Sequence, residues 1–491
     1  MKKSVNWVLW IPLAICLVLI LWGITYPYTF ELVANTLNAF VTDKFGWWYV
    51  LLMTVFVVFI IWIGVFSKYR NIKLGEDDAI PEYTLVEWFT MLFSAGMGIG
   101  LVFWGTAEPL NHFVNPLGCE PGSADAIKFA LTKSFLHWGI HPWANYAVLA
   151  LALSYFWYRK NMPCLISSIL CPIFRNKKTY AVVGKVVDIL ATLATVAGVS
   201  TSLGLGAMQI SSGLNRLFGI PEDTKVIIAI IAIVSCCYIC SALLGIKKGI
   251  RILSNTNVVL CIAIALACFV IGPTNKIINS ALEGTGLYLG ELLQHTLEIG
   301  AFENSEWYGG WTIFYWAWWI AWAPFTATFI ARISKGRTIK EFCLGIVFIP
   351  ALVSIAWFSI FGILGTNMGL GIATEAIENT STALFVVLEN YSGGYAISII
   401  VIVLLCTFFI TSADSATFVL GMLTSYGVQN PSNKKKIMWG VVISFVALSL
   451  MLFTVDGLNM LQTMSIVGAF PFSFVMVGAI VSLIKTLKNE K

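Results

Sequence analysis

Charge is scarce in this chain. Asp, Glu, Lys and Arg make up 11% of it, against about a quarter in a soluble domain. That argues against an ordinary soluble protein, and the 58% share of hydrophobic residues points the same way. The net charge of +5 is scattered through short loops, which reads as control of topology and not as a nucleic-acid surface. Histidine is rare as well: His137 and His141 stand at i, i+4 without a third ligand nearby, so no histidine metal site is expected. The 11 cysteines have no framework spacing. Cys237 and Cys240 form a CxxC without a second pair, and Cys236, Cys261, Cys268 and Cys406 fall in apolar runs, where small buried residues are expected. A nucleophile elbow and HExxH are missing, and the glycine-rich run is not followed by Lys-Ser/Thr. Neither a catalytic centre, a phosphate loop nor an organic cofactor is expected.

What the chain has in quantity is apolar length. A helix needs about 20 apolar residues to cross the hydrocarbon core. Stretches 7–25, 47–66, 84–107, 134–157, 186–208, 226–245, 255–272, 310–331, 342–364, 395–416, 437–454 and 463–484 qualify. The first follows Lys2 and Lys3 but lacks a small-x-small cleavage site, so it reads as a span and not as a signal peptide. With the N-terminus inside, only Lys44, Lys128, Lys133, Arg216, Lys225 and Lys276 fall on the outer side. This alternation predicts twelve helices in the cell (inner) membrane with both termini cytoplasmic. Segment 277–308, with Leu282, Leu287, Leu289, Leu292 and Leu293 among Glu and Gln, predicts an amphipathic helix on the outer surface.

Helix interruptions point to a working site, because irregular backbone at membrane depth survives only inside protein or along a cavity. Span 3 contains Gly96-Met97-Gly98-Ile99-Gly100 and span 8 contains Pro324, five spans later. That separation predicts a pair of inverted five-helix repeats, spans 3–7 and 8–12, with spans 1 and 2 as an addition. The expected organisation is a single transmembrane domain over 1–491, divided into 1–83, 84–275, 276–308 and 309–486.

Span 8 also carries Tyr315-Trp316-Ala317-Trp318-Trp319-Ile320-Ala321-Trp322 near its middle, although tryptophan normally marks the interface. Trp318, Trp319 and Trp322 can share a face. Helix packing or a displaced interfacial belt would also explain them. Span 4 adds Trp138, Trp143 and Tyr146. A cage of ring faces suits a cation that donates no hydrogen bonds, above all a quaternary ammonium. Three or four such contacts supply roughly 2–6 kcal/mol, short of the about 8 kcal/mol behind micromolar affinity. Amides freed at Gly96, Met97 and Gly98 would add an anchor for a carboxylate, although close helix packing also explains the glycines. Cage plus anchor describes a zwitterion such as a betaine. In span 10, Thr411 and Ser412 offer hydroxyls for a sodium ion, with intrahelical back-bonding as the plainer alternative.

The run Gly96 to Gly100 with Trp104-Gly105-Thr106-Ala107-Glu108-Pro109, His137-Trp138 with His141-Pro142-Trp143, the run Tyr315 to Phe325 with Ala331 to Arg337, and Phe408 to Ser415 resemble the betaine/carnitine/choline transporter family. The resemblance implies the leucine-transporter-like fold, alternating access and often a homotrimer. It implies an aromatic box at Trp138, Trp143, Tyr146, Trp318, Trp319 and Trp322. It also implies a sodium site at Ser94, Met97, Phe408, Thr411 and Ser412, and a second one at Thr195 and Phe325, where Val199 replaces the family's other hydroxyl. Carnitine exchangers of the family lose the glycine break and the sodium hydroxyls, and proton-coupled choline members carry Asp at the position of Gly100. The expected function is sodium-coupled uptake of glycine betaine, with choline or carnitine transport as the alternative.

Overall fold

The computed structural model describes residues 5–96, 98–244, 249–452 and 456–490, without side-chain detail at 93–96, 244 and 249–251. Among these residues the chain is helical throughout, apart from an isolated bridge between Lys73 and Thr338. The first half runs α1 Trp7–Thr25, α2 Pro27–Ile61, α3 Leu85–Gly96, α4 Ile99–Val114, α5 Ala124–Trp138, α6 Ile140–Ser154, α7 Ile166–Leu170, α8 Lys177–Phe218, α9 Thr224–Leu244 and α10 Gly249–Ile271. The second half runs α11 Thr274–Gly290, α12 Leu292–Leu297, α13 Ser305–Tyr308, α14 Phe314–Ile333, α15 Ile339–Thr366, α16 Gly369–Glu378, α17 Ala383–Glu389, α18 Gly394–Leu423, α19 Asn433–Leu452 and α20 Gly457–Leu487.

Among the described residues nine helices are long and apolar enough to cross a membrane. The sequence stretches around 84–107, 134–157 and 310–331 are not among them, for physical reasons. The first is cut into two short pieces between α3 and α4; the second is cut at Gly139, and the part beyond, α6 with a π-helical turn to Arg159, carries His141, Asn145 and several Trp and Tyr that lower its mean hydropathy. The third, α14, is 20 residues long but so rich in Trp and Tyr that its mean hydropathy falls.

Two groups of helices pack together. One is α4, α5, α6 and α15; the other is α8, α18, α19 and α20. Between them lies α14, in contact with α6, α8 and α20 and buried along nearly its whole length. The outer helices α1, α9 and α10 turn apolar side chains outward instead, Leu21, Ile233 and Val270 among them. Such a surface, with apolar residues facing away from the bundle, belongs to an integral membrane protein. Cys236, Cys237 and Cys240 also lie exposed on α9, against the expectation of burial, while Cys261 and Cys268 are buried. The expected amphipathic helix is present as α11, which buries Ile277, Gly284 and Tyr288 and exposes Leu282 and Leu289.

At one end of the bundle the C-terminus is tied down by charge. Glu490 accepts hydrogen bonds from Tyr155 Oη (2.5 Å), Lys160 Nζ (2.6 Å) and Arg159 Nη2 (3.1 Å). Arg159 also holds Asp77 at 2.8 Å. Burial alone would raise the Glu490 carboxyl, but these donors outweigh it and bring it from near 4.5 down to about 2. A depressed carboxylate stabilises the tie above its unfolded value and loses that contribution as pH falls through the folded one. The C-terminus of the wild type is therefore expected to loosen between about pH 4.5 and 2. Glu490→Gln is expected to show the loosened behaviour already at pH 7, read as faster carboxypeptidase trimming of the purified protein. Equal trimming of the two at pH 7 would refute this.

Candidate functional site

The sequence places two helix breaks, at the glycine run and at Pro324. The structure has the first but not the second. α14 continues through Pro324, whose carbonyl accepts from Thr328 Oγ1 at 2.7 Å. Pro324 removes the N–H that would serve the Ile320 carbonyl, a loss that membrane helices tolerate inside protein, and α14 is buried along nearly its whole length. The break that accompanies the first one is instead at Gly139. A methyl there would lie 2.4 Å from the Phe135 carbonyl and 2.9 Å from Tyr288 Oη. Tyr288, from α11, accepts from the Ile140 amide at 3.2 Å and so caps the broken end.

This break sets the geometry of the aromatic cluster. It frees the His137 carbonyl, which accepts the indole N–H of Trp319 at 3.0 Å. Asn145 on α6 donates to the Trp319 carbonyl at 2.8 Å, pinning the same residue from behind. Trp319 then meets Trp138 edge to face (4.9 Å, 83°), stacks on Trp318 (5.1 Å, 18°) and meets Tyr146 edge to face (6.1 Å, 85°). Trp143 touches Tyr146 at 5.7 Å. Trp322 lies one turn below Trp318, 6.4 Å away, with its indole N–H on the Gly198 carbonyl at 2.9 Å. The six residues therefore form one continuous set of rings at the α6–α14 contact, and all are buried.

Glycine makes room for the rings. A methyl at Gly100 would come within 2.5 Å of the Trp318 ring tip and 3.2 Å of that of Trp138, and one at Gly198 would come within 2.6 Å of Trp322. Gly100→Ala is therefore expected to displace Trp318 and weaken solute binding about tenfold, the cost of overpacking a buried site by one carbon. Equilibrium binding to the purified variant checks this, and unchanged affinity would mean that Trp318 does not shape the site.

Gly98 opens α4 without any side chain to cap the helix, and its carbonyl accepts from the Leu101 amide at 3.1 Å. It faces Ser412: a methyl on Gly98 would lie 3.3 Å from Ser412 Oγ. Thr411 turns another way. Its hydroxyl bonds back to the Thr407 and Phe408 carbonyls (3.0 and 3.1 Å) and accepts from Asn257 Nδ2 on α10 at 3.0 Å. Thr195 bonds back to the Ala191 carbonyl at 2.8 Å, and Phe325 packs edge to face on Trp322. Met97 and the side chain of Ser94 lie outside the described residues. Asp188 and Asp414 are satisfied locally, by Ser167 and Ser241 respectively.

The residue that sequence reasoning passed over is Glu108. It is wholly buried on α4 and accepts from Trp138 Nε1 (2.7 Å) and Tyr315 Oη (2.5 Å). His137 Nδ1 stands 2.7 Å and His112 Nε2 3.3 Å from its other oxygen. Glu108, His112 and His137 place one oxygen and two nitrogens within 4.8 Å of one another, a spacing that a metal ion would tolerate. His141, the expected neighbour of His137, bonds Thr296 instead at 3.0 Å. Glu108 stood within a quoted motif, but apart from His112 at i+4 its partners reach it only through the fold, Trp138 from 30 residues away.

Two cavities open at opposite ends of α14. One is lined by Phe325, Thr328, Phe329, Arg332, Ser415 and Phe418, the other by Gly309, Gly310, Ile313, Phe314, Asn459 and Gln462. The ring cluster lies between them.

Comparison with known proteins identifies the family. The model of the BCCT family, betaine/carnitine/choline family transporters, matches residues 7–491. The glycine betaine transporter OpuD of Bacillus subtilis is 46% identical over 496 residues, covering 100% of this chain and 96% of that protein. A probable glycine betaine transporter of Desulfitobacterium hafniense is 41% identical, covering 99% and 98%. An ectoine/hydroxyectoine transporter of Virgibacillus pantothenticus is 39% identical, covering 100% and 99%.

Proposed function

The chain belongs to the betaine/carnitine/choline transporter family, and on that footing we propose that it is a secondary active symporter that imports glycine betaine together with sodium. The observation that carries the substrate class is the cluster of Trp138, Trp143, Tyr146, Trp318, Trp319 and Trp322, buried and joined ring to ring. A trimethylammonium head takes the ring faces. Its carboxylate takes amides of the glycine run at the start of α4, around Gly98, where no side chain caps the helix.

Twelve spans follow if the broken pairs α3–α4 and α5–α6 each cross once and α14 crosses as the Trp-rich eighth. The two packed helix groups support alternating access: one rocks against the other about the ring cluster, opening first one end of α14 and then the other. The five-plus-five inverted repeat, a homotrimer, and placement in the cell membrane with both termini cytoplasmic belong to the same proposal. Sodium binds between α3–α4 and α18, using Ser412 and Thr411 with the carbonyls of Ser94, Met97 and Phe408. A second sodium near Thr195 and Phe325 would lack a hydroxyl at the buried Val199.

The experiment is uptake of radiolabelled glycine betaine into proteoliposomes with and without an inward sodium gradient. Accumulation that needs the gradient is expected. Exchange without accumulation would indicate a carnitine-type antiporter. No betaine transport would remove the substrate assignment, and choline, carnitine and ectoine would be tried next, the last because of the ectoine-transporting relative.

A further inference from the structure

Glu108 has no lysine or arginine among its ion-pair partners in the described residues; only two imidazoles face it. Lys133, on the same helix as His137, is committed to Glu298 and His295. Yet the hydrogen-bond pattern is that of an ionised carboxylate. The Trp138 indole can only donate. Thr312 Oγ1 stands 3.0 Å from His137 Nε2, and as a donor to that nitrogen it leaves the ring proton on Nδ1, aimed at Glu108, the arrangement that the proposal below adopts. With the Tyr315 phenol and His112 Nε2 as further donors, two groups serve each oxygen, the full complement for a carboxylate. A protonated acid would have to turn one of them around. His112 Nδ1 is buried without a partner, as expected for a neutral ring whose proton is on the other nitrogen.

A negative charge held by dipoles alone, deep in the protein, is costly unless a cation neutralises it. The rings that hold it are the cage's own wall. Trp138 belongs to the cage, and Tyr315 stacks on Trp319 (6.2 Å, 21°) and meets Trp138 edge to face at 5.6 Å. The carboxylate therefore sits one ring behind the place that the onium head would occupy. We propose that Glu108 is the specificity-determining counter-charge of the transported solute, selecting a cationic head over a neutral one of the same shape through Trp138 and Tyr315, which it also orients. The inference rests on the reading of the ring cluster as the solute site.

The test uses two ligands of one shape and different charge. Glycine betaine and 3,3-dimethylbutanoate share the carboxylate and the three methyl groups, but the second has carbon in place of nitrogen. Equilibrium binding of both is measured on the purified full chain and on Glu108→Gln. Wild type is expected to prefer betaine, and Glu108→Gln to lose about tenfold of that preference, as expected for a unit charge several ångströms away at protein-like dielectric. A residue that only holds the rings in place would weaken both ligands alike, and equal weakening would overturn the inference while leaving the betaine assignment intact. Failure of wild type to bind betaine would instead overturn the solute assignment, and the inference with it. Glu108→Asp keeps the charge and shortens the arm. It is expected to bind both ligands less well with the preference kept within about threefold of wild type. Should Glu108→Gln fail to give monodisperse protein, this variant decides alone, and loss of preference in it would overturn the inference.

Discussion

Trp319→Leu is expected to raise the Kd for glycine betaine about 30- to 100-fold while leaving a folded, monodisperse protein. The residue is the junction of the cluster. Its ring touches Trp138, Trp318, Tyr146 and Tyr315, and its N–H satisfies the carbonyl freed at the Gly139 break. Leucine removes one desolvated ring face from the cation, worth up to about 2 kcal/mol. It also removes the edge-to-face contact that fixes Trp138, worth about 0.5–1.5 kcal/mol. The His137 carbonyl is left without its donor, which costs a further 1 kcal/mol or so in a buried site, and much of that falls on stability and not on binding. Calorimetric titration measures the first two terms and a thermal melt the third. A Kd within about threefold of wild type would place the cation elsewhere, because Trp319 joins Trp138, Trp318 and Tyr146 in one cluster. Choline binding, measured in parallel, is expected to fall by a similar factor, since the cage recognises the head and not the tail.

The sequence made the membrane class and nine of the spans legible because lipid demands continuous apolar helices, and composition alone reports those. It failed where function breaks the rule. Gly139 was unremarkable as a letter; its role depends on Tyr288, 149 positions away, arriving to cap the exposed amide. Pro324 looked like a break, but α14 continues through it, packed against α6, α8 and α20. The rings themselves were readable from i, i+3 and i, i+4 spacing, since a helix face is a local property. Glu108 was not readable as a hub, because only His112 shares its helix, while His137 and Trp138 come from α5 and Tyr315 from α14.

Removing both hydroxyls, Thr411→Ala with Ser412→Ala, is expected to raise the half-saturating sodium concentration about tenfold or more, so that uptake loses its sodium dependence over the ordinary concentration range, as for the loss of charged hydrogen-bond partners in a buried site. The single variants are expected to differ. Ser412 faces Gly98, where the α3–α4 break exposes backbone, so its oxygen points at the place where a cation would meet unwound carbonyls. Thr411 already donates to its own helix and accepts from Asn257, so only one lone pair remains for an ion. Ser412→Ala is therefore expected to carry the larger share, and Thr411→Ala the smaller one together with a loss of stability from the unpaired Asn257 amide. Uptake titrated against external sodium at fixed betaine, with potassium replacing sodium, gives both numbers. If the double variant keeps the wild-type sodium curve, the coupling ion does not bind between α4 and α18. If Thr411→Ala proves the more damaging, the hydroxyl turned toward α10 is the ligand, and the ion sits on the Asn257 side of α18.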